Sequence, residues 1–490
     1  MKFNQAYFLI FLFFILHLPF LTADPDTLVD VHTMGAWTDE GLYAAQARNY
    51  IYYGDFGMED NTTFIRGPLQ TLIQVPVFYF FGASLSIARL LTIVWVCVAF
   101  FFVASFRKWK LFTVFLLIFS FSQFRVFLFS HYALAEMMAI SSLPVSFIFL
   151  SKYFDSGKLK FMFLSALMVF VSWSLKIQFL YFIVLPPMAI FFYNIMRQAK
   201  GEITMKHIIK DVIWVSAFSL LLVIIYLLIW YLPNKEFFDF IMFEQTEQRF
   251  DVWERIHLTF DFNLHYFILK PENYPLIIGS VVSLFLWVSS FFTARIKIKN
   301  QLVIIFGLAW LLIEFHKLGM TYLPQRYLLG LYVASGFFTS AVLFQFINLN
   351  KYSRVILWAM LAATLFYNGF YSYESYQRRT YELKAANNYL RNFDWDEKTI
   401  AGVWAPSITW KTKARVIPVW SEYADPETFF KIYKPSLIVE EPNEGSSGEF
   451  FKSNGFNLDE MSDSVRYFDF WRYELGIFWL NDSTRTAREQ

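Results

Sequence analysis

Long apolar runs alternate with short polar segments over the first 371 residues of the chain. A bilayer core requires about 20 mostly apolar residues per helix, and runs of about that length predict eleven membrane spans. They lie near residues 5–22, 86–106, 111–129, 132–150, 161–174, 177–194, 212–232, 273–293, 301–316, 324–346 and 354–371. The first run also resembles a signal peptide, but the many later spans favour a retained signal anchor.

Loops that carry Lys and Arg recur on alternate sides of the predicted spans. Because cationic side chains resist translocation, these loops indicate the cytoplasmic side. The basic residues are Arg107, Lys108 and Lys110; Lys152, Lys158 and Lys160; Arg197, Lys200, Lys206 and Lys210; Arg295, Lys297 and Lys299; and Lys351 with Arg354. This orientation places three polar segments outside the cell membrane: residues 23–85, residues 233–272, and a tail from about 372 to 490.

The first two outer segments differ in pattern. Thr38 to Tyr53 opens with a helix-capping residue followed by acidic residues, which predicts a surface helix. Residues 68–81, rich in Leu, Val, Tyr and Phe, predict a second helix that lies in the membrane interface. The second outer segment is dense in charged and aromatic residues, a pattern typical of a lid, an interfacial helix or a solvated loop.

The composition of the tail changes at Arg378. A polar helix is predicted as far as Phe393, and three short apolar runs then alternate with helical stretches, which predicts a small α/β domain. The runs are Ile400 to Trp404, Val416 to Trp420 and Leu437 to Val439. We therefore expect a membrane domain of residues 1–371 and an extracytoplasmic α/β domain of residues 372–490.

The overall composition excludes a soluble globular protein, since 57% of the residues are hydrophobic, 21% are aromatic and 17% are charged. The 42 Lys and Arg residues against 40 Asp and Glu give a net charge of +2, so no global field attracts nucleic acid. The single cysteine, Cys97, excludes an intramolecular disulfide framework and a cysteine-rich metal site.

Several familiar motifs are absent from the sequence. The lack of a P-loop, a dinucleotide fingerprint, HExxH and GxSxG argues against ATP-driven transport and serine hydrolysis. Two D-x-D triplets, which begin at Asp24 and Asp394, could hold a metal on a nucleotide sugar. We interpret both as chance matches, because nucleotide sugars are cytoplasmic and both triplets are predicted outside.

Acidic residues at two outer positions are candidates for catalysis. Asp39 and Glu40 follow the first span at the start of the predicted outer helix, where a carboxylate can accept the proton of an incoming hydroxyl. Complementing the helix dipole is the alternative role. Glu136 lies at a short outer turn between two spans, where an ionisable group is costly unless it faces water or a partner. Nearby His131 is either an acceptor contact or a plain polar loop residue.

Four basic residues are candidates for binding a phosphate. Arg66 precedes Gly67-Pro68 as the chain re-enters the interface, and a guanidinium fork suits a phosphate head group. Lipid anchoring is the alternative for this residue. Lys176, Lys317 and Arg326 lie at outer ends of spans, against the cytoplasmic bias of the other cations, and predict a shared anion site.

A family resemblance rests on three stretches: TDEGLYAAQARNYIYYGDF, RGPLQTLIQVPVFYFFG and ARLLTIV. Together they resemble the first outer loop of family 39 glycosyltransferases, which include protein mannosyltransferases and lipid A aminoarabinose transferases. The similarity covers the membrane portion and is clearest over residues 35–100. Weaker similarities are SHYALAEMM, SLKIQFLY and YLPQRYLLGLYVA.

The resemblance implies a GT-C membrane fold, with about eleven transmembrane helices in this mainly α protein and a small α/β domain at its end. It also implies transfer of a sugar from a polyprenyl-phosphate donor to a lipid, glycan or protein acceptor. By position, Asp39 resembles the family's acceptor-activating acid, Glu136 its second outer acid, and Arg66 a basic residue before proline. Here Gly67 intervenes, whereas the family often has Lys followed directly by Pro.

The reaction expected from this resemblance is an inverting displacement with Asp39 as general base. Arg66, assisted by Lys176 or Arg326, would stabilise the departing phosphate. No cofactor is required, although a divalent cation held by Asp39 and Glu136 stays open as a weaker hypothesis. The resemblance also favours a bacterial plasma membrane.

Other classes of function remain as alternatives. A secondary transporter or lipid flippase would also suit eleven spans with buried charges, but transporters typically place coupling residues near the bilayer midplane. A noncatalytic scaffold would display the tail as its active part. An O-antigen ligase or polymerase is the nearest enzymatic competitor, and that group lacks the early acidic helix.

Overall fold

The computed structural model describes residues 5–24, 39–56, 63–239, 255–292, 300–321, 323–346, 351–395, 398–419, 428–441, 446–470 and 473–481. Helices dominate these ranges. They are α1 (Gln5–His17), α2 (Asp39–Tyr53), α3 (Thr63–Arg66), α4 (Pro68–Phe81), α5 (Leu85–Ser105), α6 (Lys110–Leu116), α7 (Phe124–Ser130), α8 (Ala135–Ser156), α9 (Leu159–Leu175), α10 (Leu185–Ala199), α11 (Met205–Tyr226), α12 (Lys235–Asp239), α13 (Ile256–Leu269), α14 (Tyr274–Phe292), α15 (Gln301–Glu314), α16 (Leu329–Phe346), α17 (Lys351–Gln377), α18 (Glu382–Leu390), α19 (Ala405–Ile408), α20 (Phe429–Tyr433) and α21 (Ser446–Ser453).

The protein is an integral, multi-pass membrane protein. Among the described residues, seven helices are long and apolar enough to cross a membrane, or eight if one bent pair is a single span. The seven are Leu85–Ser105, Ala135–Ser156, Ile177–Ala199, Met205–Asp239, Pro271–Phe291, Gln301–Gly319 and Gln325–Phe346. Two shorter apolar helices, Gln5–Leu21 and Leu159–Leu175, coincide with further predicted spans. The mainly helical fold is confirmed, but the count of eleven spans is not.

The span predicted at residues 111–129 is broken. Its two parts, Arg107–Phe121 and Phe124–Ser130, meet at 94°. The turn before the break is widened, since Ser122 N donates to the Leu117 carbonyl at 2.8 Å, five residues back. Beyond the break, Asn368 Oδ1 accepts a hydrogen bond from Phe124 N at 2.9 Å and caps the first turn of α7. Hydropathy predicted one straight helix because it does not report the backbone hydrogen-bond pattern.

The chain divides into two compact units, and each is described by itself. The helical unit comprises Met1–Leu16, Ile93–Ser130 and Ala135–Glu374. The sheet-containing unit comprises His17–Thr92, His131–Leu134 and Ser375–Gln490. The second unit thus joins the first outer segment to the tail.

Small residues allow close helix packing in the helical unit. A Cβ at Gly307 of α15 would lie 3.0 Å from Phe338 Cα of α16, so only glycine permits this approach. Between α8 and α9, Ser146 Oγ donates to the Ser165 carbonyl at 2.9 Å. Such contacts satisfy polar groups that lipid cannot.

The tail of the sheet-containing unit forms a five-stranded sheet in the order β2-β1-β3-β5-β4. The strands are β1 (Thr399–Ala401), β2 (Arg415–Ile417), β3 (Leu437–Glu440), β4 (Ser462–Phe470) and β5 (Tyr473–Leu480). Strand β1 is parallel to β2 and β3, whereas β5 is antiparallel to β3 and β4. We call β1–β5 with α18–α21 the α/β tail. The predicted α/β fold is confirmed, and the first three strands lie in or beside the predicted apolar runs.

Two helices from the first predicted outer segment lie in the sheet-containing unit. Helix α2 occupies the predicted position, but its residues 39–49 are buried, so it is not the expected surface helix. Helix α4 covers the predicted residues, and its end exposes Tyr79, Phe80 and Phe81, each more than 70% accessible. Exposed aromatic rings at a helix end suit a membrane interface.

Some predictions fall partly on residues outside the described ranges. In the second outer segment the structure describes α12 and α13, while residues 240–254 are outside. Thr38, the third residue of each D-x-D triplet and Trp420 are outside as well.

Candidate active site

The acidic pair predicted from the sequence opens α2 in the sheet-containing unit. Asp39 and Glu40 form the first turn of this helix, where negative charge complements the helix dipole. Both side chains are buried, Asp39 with 8% of its surface accessible. A buried carboxylate needs hydrogen-bond or ionic partners, and the partners of Glu40 hold the first turn of α2 in place.

Glu40 is held by a salt bridge with Arg89 of α5. Arg89 Nη2 lies 2.6 Å from Glu40 Oε2, and Arg89 Nε lies 3.0 Å from Oε1. Ala133 N also donates to Oε1 at 2.6 Å. Arg89 Nη1 donates to the carbonyls of Phe20 and Ala23 at 2.8 and 2.6 Å. One guanidinium therefore joins the end of the first apolar segment to the start of α2.

Sequence reasoning missed Arg89, although a signal for it was present. It lies four residues after Leu85 in an apolar helix, and an ionisable group there is costly without a partner. Both carboxylate oxygens of Glu40 are engaged by Arg89 and the Ala133 amide, which suits a positioning role for Glu40.

Arg66 and His131, the other predicted residues of this unit, have different environments. Arg66 ends α3 directly before Gly67 and is half-buried. His131 is fully buried and stacks on Phe20, with ring centroids 4.5 Å apart. Burial, assisted by His17 and Arg89, lowers the pKa of His131 well below its usual value, so the imidazole is neutral.

A buried ionic cluster lies in the helical unit. Glu136, in the first turn of α8, accepts a hydrogen bond from Lys176 Nζ, which follows α9 directly. Arg326 Nε lies 3.6 Å from Glu136 Oε1. The sequence prediction grouped these two cations at one anion site, and the structure brings them together on one carboxylate.

Lys317 belongs to a neighbouring part of this cluster. Its Nζ lies 2.8 Å from Glu314 Oε2 and donates to the Tyr327 carbonyl at 2.8 Å. The ring of Tyr327 lies 5.4 Å from both Lys176 Nζ and Arg326 Cζ. Tyr327 therefore connects the three cations through its carbonyl and its aromatic face.

Glu314 was not predicted from the sequence. Tyr181 and Trp310 donate hydrogen bonds to its Oε1 at 3.0 and 3.3 Å. A Cβ at Gly330 would lie 2.1 Å from Glu314 Oε1, so the glycine makes room for this carboxylate. An acidic residue at the end of the apolar helix α15, three residues before Lys317, was the available signal.

Among the described residues, the cluster has more positive than negative groups. We define the cationic cluster as Lys176, Lys317 and Arg326 with Glu136 and Glu314, three cations against two carboxylates. All five are buried or nearly so. Asp39, Glu40, Arg66 and His131 belong to the sheet-containing unit.

No metal-binding group emerges from the described part of the chain. Within it, no set of three or more His, Cys, Asp or Glu side chains is arranged to hold an ion. The salt bridges of Glu40 and Glu136 instead direct these carboxylates to arginine and lysine.

The fold, a helical membrane portion with a small α/β tail, is ArnT-like, as the sequence resemblance predicted. The structure is similar to that of ArnT from Cupriavidus metallidurans bound to undecaprenyl phosphate, with a TM-score of 0.56 and 15% identity over 96% of this chain and 97% of that chain. The apo state of the same ArnT gives a TM-score of 0.53 and 14% identity over the same shares. The sequence matches no protein-family model and no curated protein.

Proposed function

We propose that the protein is a membrane glycosyltransferase that moves a sugar from a polyprenyl-phosphate donor to an acceptor at the extracytoplasmic face. The cationic cluster carries this proposal. It gives a GT-C fold a buried site with surplus positive charge, the property that a lipid phosphate requires. ArnT, whose fold is similar, has been solved with undecaprenyl phosphate bound.

The charge balance favours an anionic ligand. Among the described residues, the cluster brings three cations and two carboxylates together, and buried charges need ionic partners, so this arrangement suits an anionic ligand. Lysine and arginine donors form strong charge-assisted hydrogen bonds to phosphate oxygens. Lipid phosphate fits this cluster because α8, α15 and α16 are apolar helices of spanning length or close to it.

The proposed chemistry is a single inverting displacement. The acceptor hydroxyl or amide attacks the anomeric carbon, the bond from that carbon to the phosphate oxygen breaks, and Asp39 takes the acceptor proton. The cationic cluster stabilises the charge that develops on the departing polyprenyl phosphate, with Arg66 as a further candidate donor. Glu136 and Glu314 position the lysine and arginine groups.

The orientation of the protein is part of the proposal. The basic loops predict that the α/β tail lies outside, and the sequence resemblance favours a bacterial plasma membrane. The catalytic acid and the tail then face the compartment in which lipid-linked sugars are used as donors.

The test is binding of undecaprenyl phosphate to the purified protein in nanodiscs, measured by native mass spectrometry. Lys176→Met removes the surplus charge and is expected to weaken binding about 10- to 100-fold, since a hydrogen bond to a charged group contributes about 1.5–3 kcal/mol. Lys176→Met with Glu136→Gln restores the surplus and should recover part of the affinity.

Lys108→Met is the matched control, because Lys108 is an exposed lysine paired with Asp155 at 3.3 Å. It should bind like the wild type. Equal affinity for the wild type and Lys176→Met would contradict the proposed phosphate site.

A lipid flippase is the second candidate, and the break between α6 and α7 favours it, because broken spans are frequent in transporters. Proteoliposomes with a panel of undecaprenyl-phosphate sugars and a membrane extract as acceptor source distinguish the two. A transferase releases undecaprenyl phosphate and forms a new glycoconjugate, whereas a flippase moves intact donor between leaflets.

A further inference from the structure

One face of α2 packs against the α/β tail. A Cβ at Gly41 would lie 2.4 Å from Ser407 N and 2.5 Å from the Pro406 carbonyl carbon, so the helix approaches α19 at backbone distance. Further along α2, Ala44 and Ala47 pack in one hydrophobic cluster with Trp410. Small residues on this helix therefore allow the tail to reach its backbone.

Arg48 fixes the same face by hydrogen bonds. Its Nη2 donates to the carbonyls of Thr412, Ala414 and Thr409 at 2.8, 3.1 and 3.2 Å, and to Thr412 Oγ1 at 3.2 Å. Burial lowers the pKa of Arg48 to about 10, so it remains charged near neutral pH. The Tyr53 hydroxyl donates to the Lys413 carbonyl and adds another contact to this segment. The segment from residue 409 to 414 is thus held to α2 over two turns.

Helix geometry places Asp39 on the opposite side of α2. At 3.6 residues per turn, Gly41, Ala44 and Arg48 fall within about 60° of one another, whereas Asp39 lies about 160° from Gly41. The tail therefore supports the back of the helix, and the acid occupies its front. A shift of the tail would move the helix that carries Asp39.

The support behind α2 is itself anchored. Asn387 of α18 donates from Nδ2 to the Ser407 carbonyl at 3.0 Å. Asp24 Oδ2 accepts a hydrogen bond from Leu383 N at 2.9 Å, which ties α18 to the segment that precedes α2. These contacts all lie within the sheet-containing unit.

We propose that Arg48 and Gly41 are positioning residues through which the α/β tail sets the place of Asp39 in the transfer reaction. This inference rests on the proposed function, in which Asp39 is the base. It assigns the tail a role in turnover rather than in donor binding. A displacement of about 1 Å at a catalytic group can lower the rate about 100-fold.

The first test uses Arg48→Met and Arg48→Lys in full-length protein in nanodiscs. A panel of undecaprenyl-phosphate sugars is first offered to the wild type, with membrane extract as the acceptor source. Turnover is then measured as release of undecaprenyl phosphate from the sugar donor that the wild type consumes. Arg48→Met should lower turnover about 10- to 100-fold, with undecaprenyl phosphate affinity within about twofold of the wild type. Arg48→Lys should recover part of the rate. The control is Arg466→Met, an exposed arginine of β4 that lies 5.2 Å from the Tyr389 ring.

A second pair of variants changes the same contact without removing a charge. Gly41→Ala forces α2 and α19 apart, and it should lower turnover and increase hydrogen exchange over residues 39–53. Gly369→Ala is the matched control, because a Cβ there meets no atom within 4 Å. If Arg48→Met fails to fold, Gly41→Ala still decides the question.

A double variant separates positioning from general damage. In an Asp39→Asn background, Arg48→Met should cause little further loss of turnover, because both changes act through the same carboxylate. Wild-type turnover in Arg48→Met and Gly41→Ala, or equal loss with and without Asp39, would overturn the inference. The proposed function is tested separately from this inference, because it depends on whether the wild-type protein binds undecaprenyl phosphate and transfers sugar.

Discussion

Glu40 shows how a single carboxylate can be occupied by structural partners. Arg89 and the Ala133 amide together take both of its oxygens. The sequence located the acidic pair correctly at a helix start, since such residues favour the first turn. It could not identify the partner, because Arg89 lies 49 residues further along the chain. The local sequence pattern predicts where acidic residues lie on a helix. It does not predict which distant side chain forms an ion pair with them.

The Arg89–Glu40 pair leads to a prediction on stability. Arg89→Met leaves a buried carboxylate without its cation and is expected to cost about 3–5 kcal/mol. The double variant Arg89→Met with Glu40→Gln should regain much of this loss, because both charges are then removed. Thermal unfolding in detergent measures the effect. A single variant as stable as the wild type would contradict the structural role of the pair.

At the scale of elements, hydropathy predicted where the helices lie but not how they are interrupted. Helices occupy the predicted span positions, since an apolar run of that length has few alternatives in lipid. The first backbone N–H beyond the break between α6 and α7 is capped by the side chain of Asn368, which is more than 240 residues from Phe124. The sequence analysis also did not predict strands β4 and β5. Strand β4 is mostly polar and most of its residues are partly or fully exposed, so it lacks an apolar run.

Strand β3 ends in an acid whose ionisation should affect stability. Burial, with smaller contributions from Asp459 and Glu441, raises the pKa of Glu440 to about 8 from 4.5. Since the pKa in the folded protein is the higher one, the stabilising contribution is complete below about pH 4.5 and is lost as the pH rises through 8. The wild type should therefore lose stability between pH 5 and 9, by about 4 kcal/mol at most.

Glu440→Gln should flatten this dependence in thermal unfolding of the full-length protein. Glu474→Gln, an exposed change on β5, should keep the wild-type profile. Parallel profiles for the wild type and Glu440→Gln would show that Glu440 does not titrate in this range.

For the whole molecule, the quoted motifs predicted the GT-C fold although the sequence identity to ArnT is only 15%. The outer positions of Lys176 and Arg326, against the cytoplasmic bias of the other cations, predicted a shared anion site, and the structure brings both to Glu136. The role of the tail in holding α2 could not be predicted, because it depends on carbonyl groups that any residue carries. The role of Asp39 as base and the inverting course remain proposals.

The ionic pairs across the molecule predict that transfer does not need a divalent cation. Glu136, one of the two carboxylates considered for a cation, is paired with Lys176, and Glu40 beside Asp39 is paired with Arg89. Release of undecaprenyl phosphate should be unchanged after exhaustive chelation. Loss of activity that is restored by Mg²⁺ or Mn²⁺ would show that a cation participates.

The contact of Arg48 with Thr409 spans 361 positions and has a consequence for biogenesis. Helix α2 is made early by the ribosome, but the carbonyls that hold it are made only near the end of synthesis. Nascent chains therefore carry an unsupported α2 while the later helices insert. If Arg48 positions Asp39 as proposed, chains that have not yet reached residue 409 should be unable to consume lipid-linked sugars.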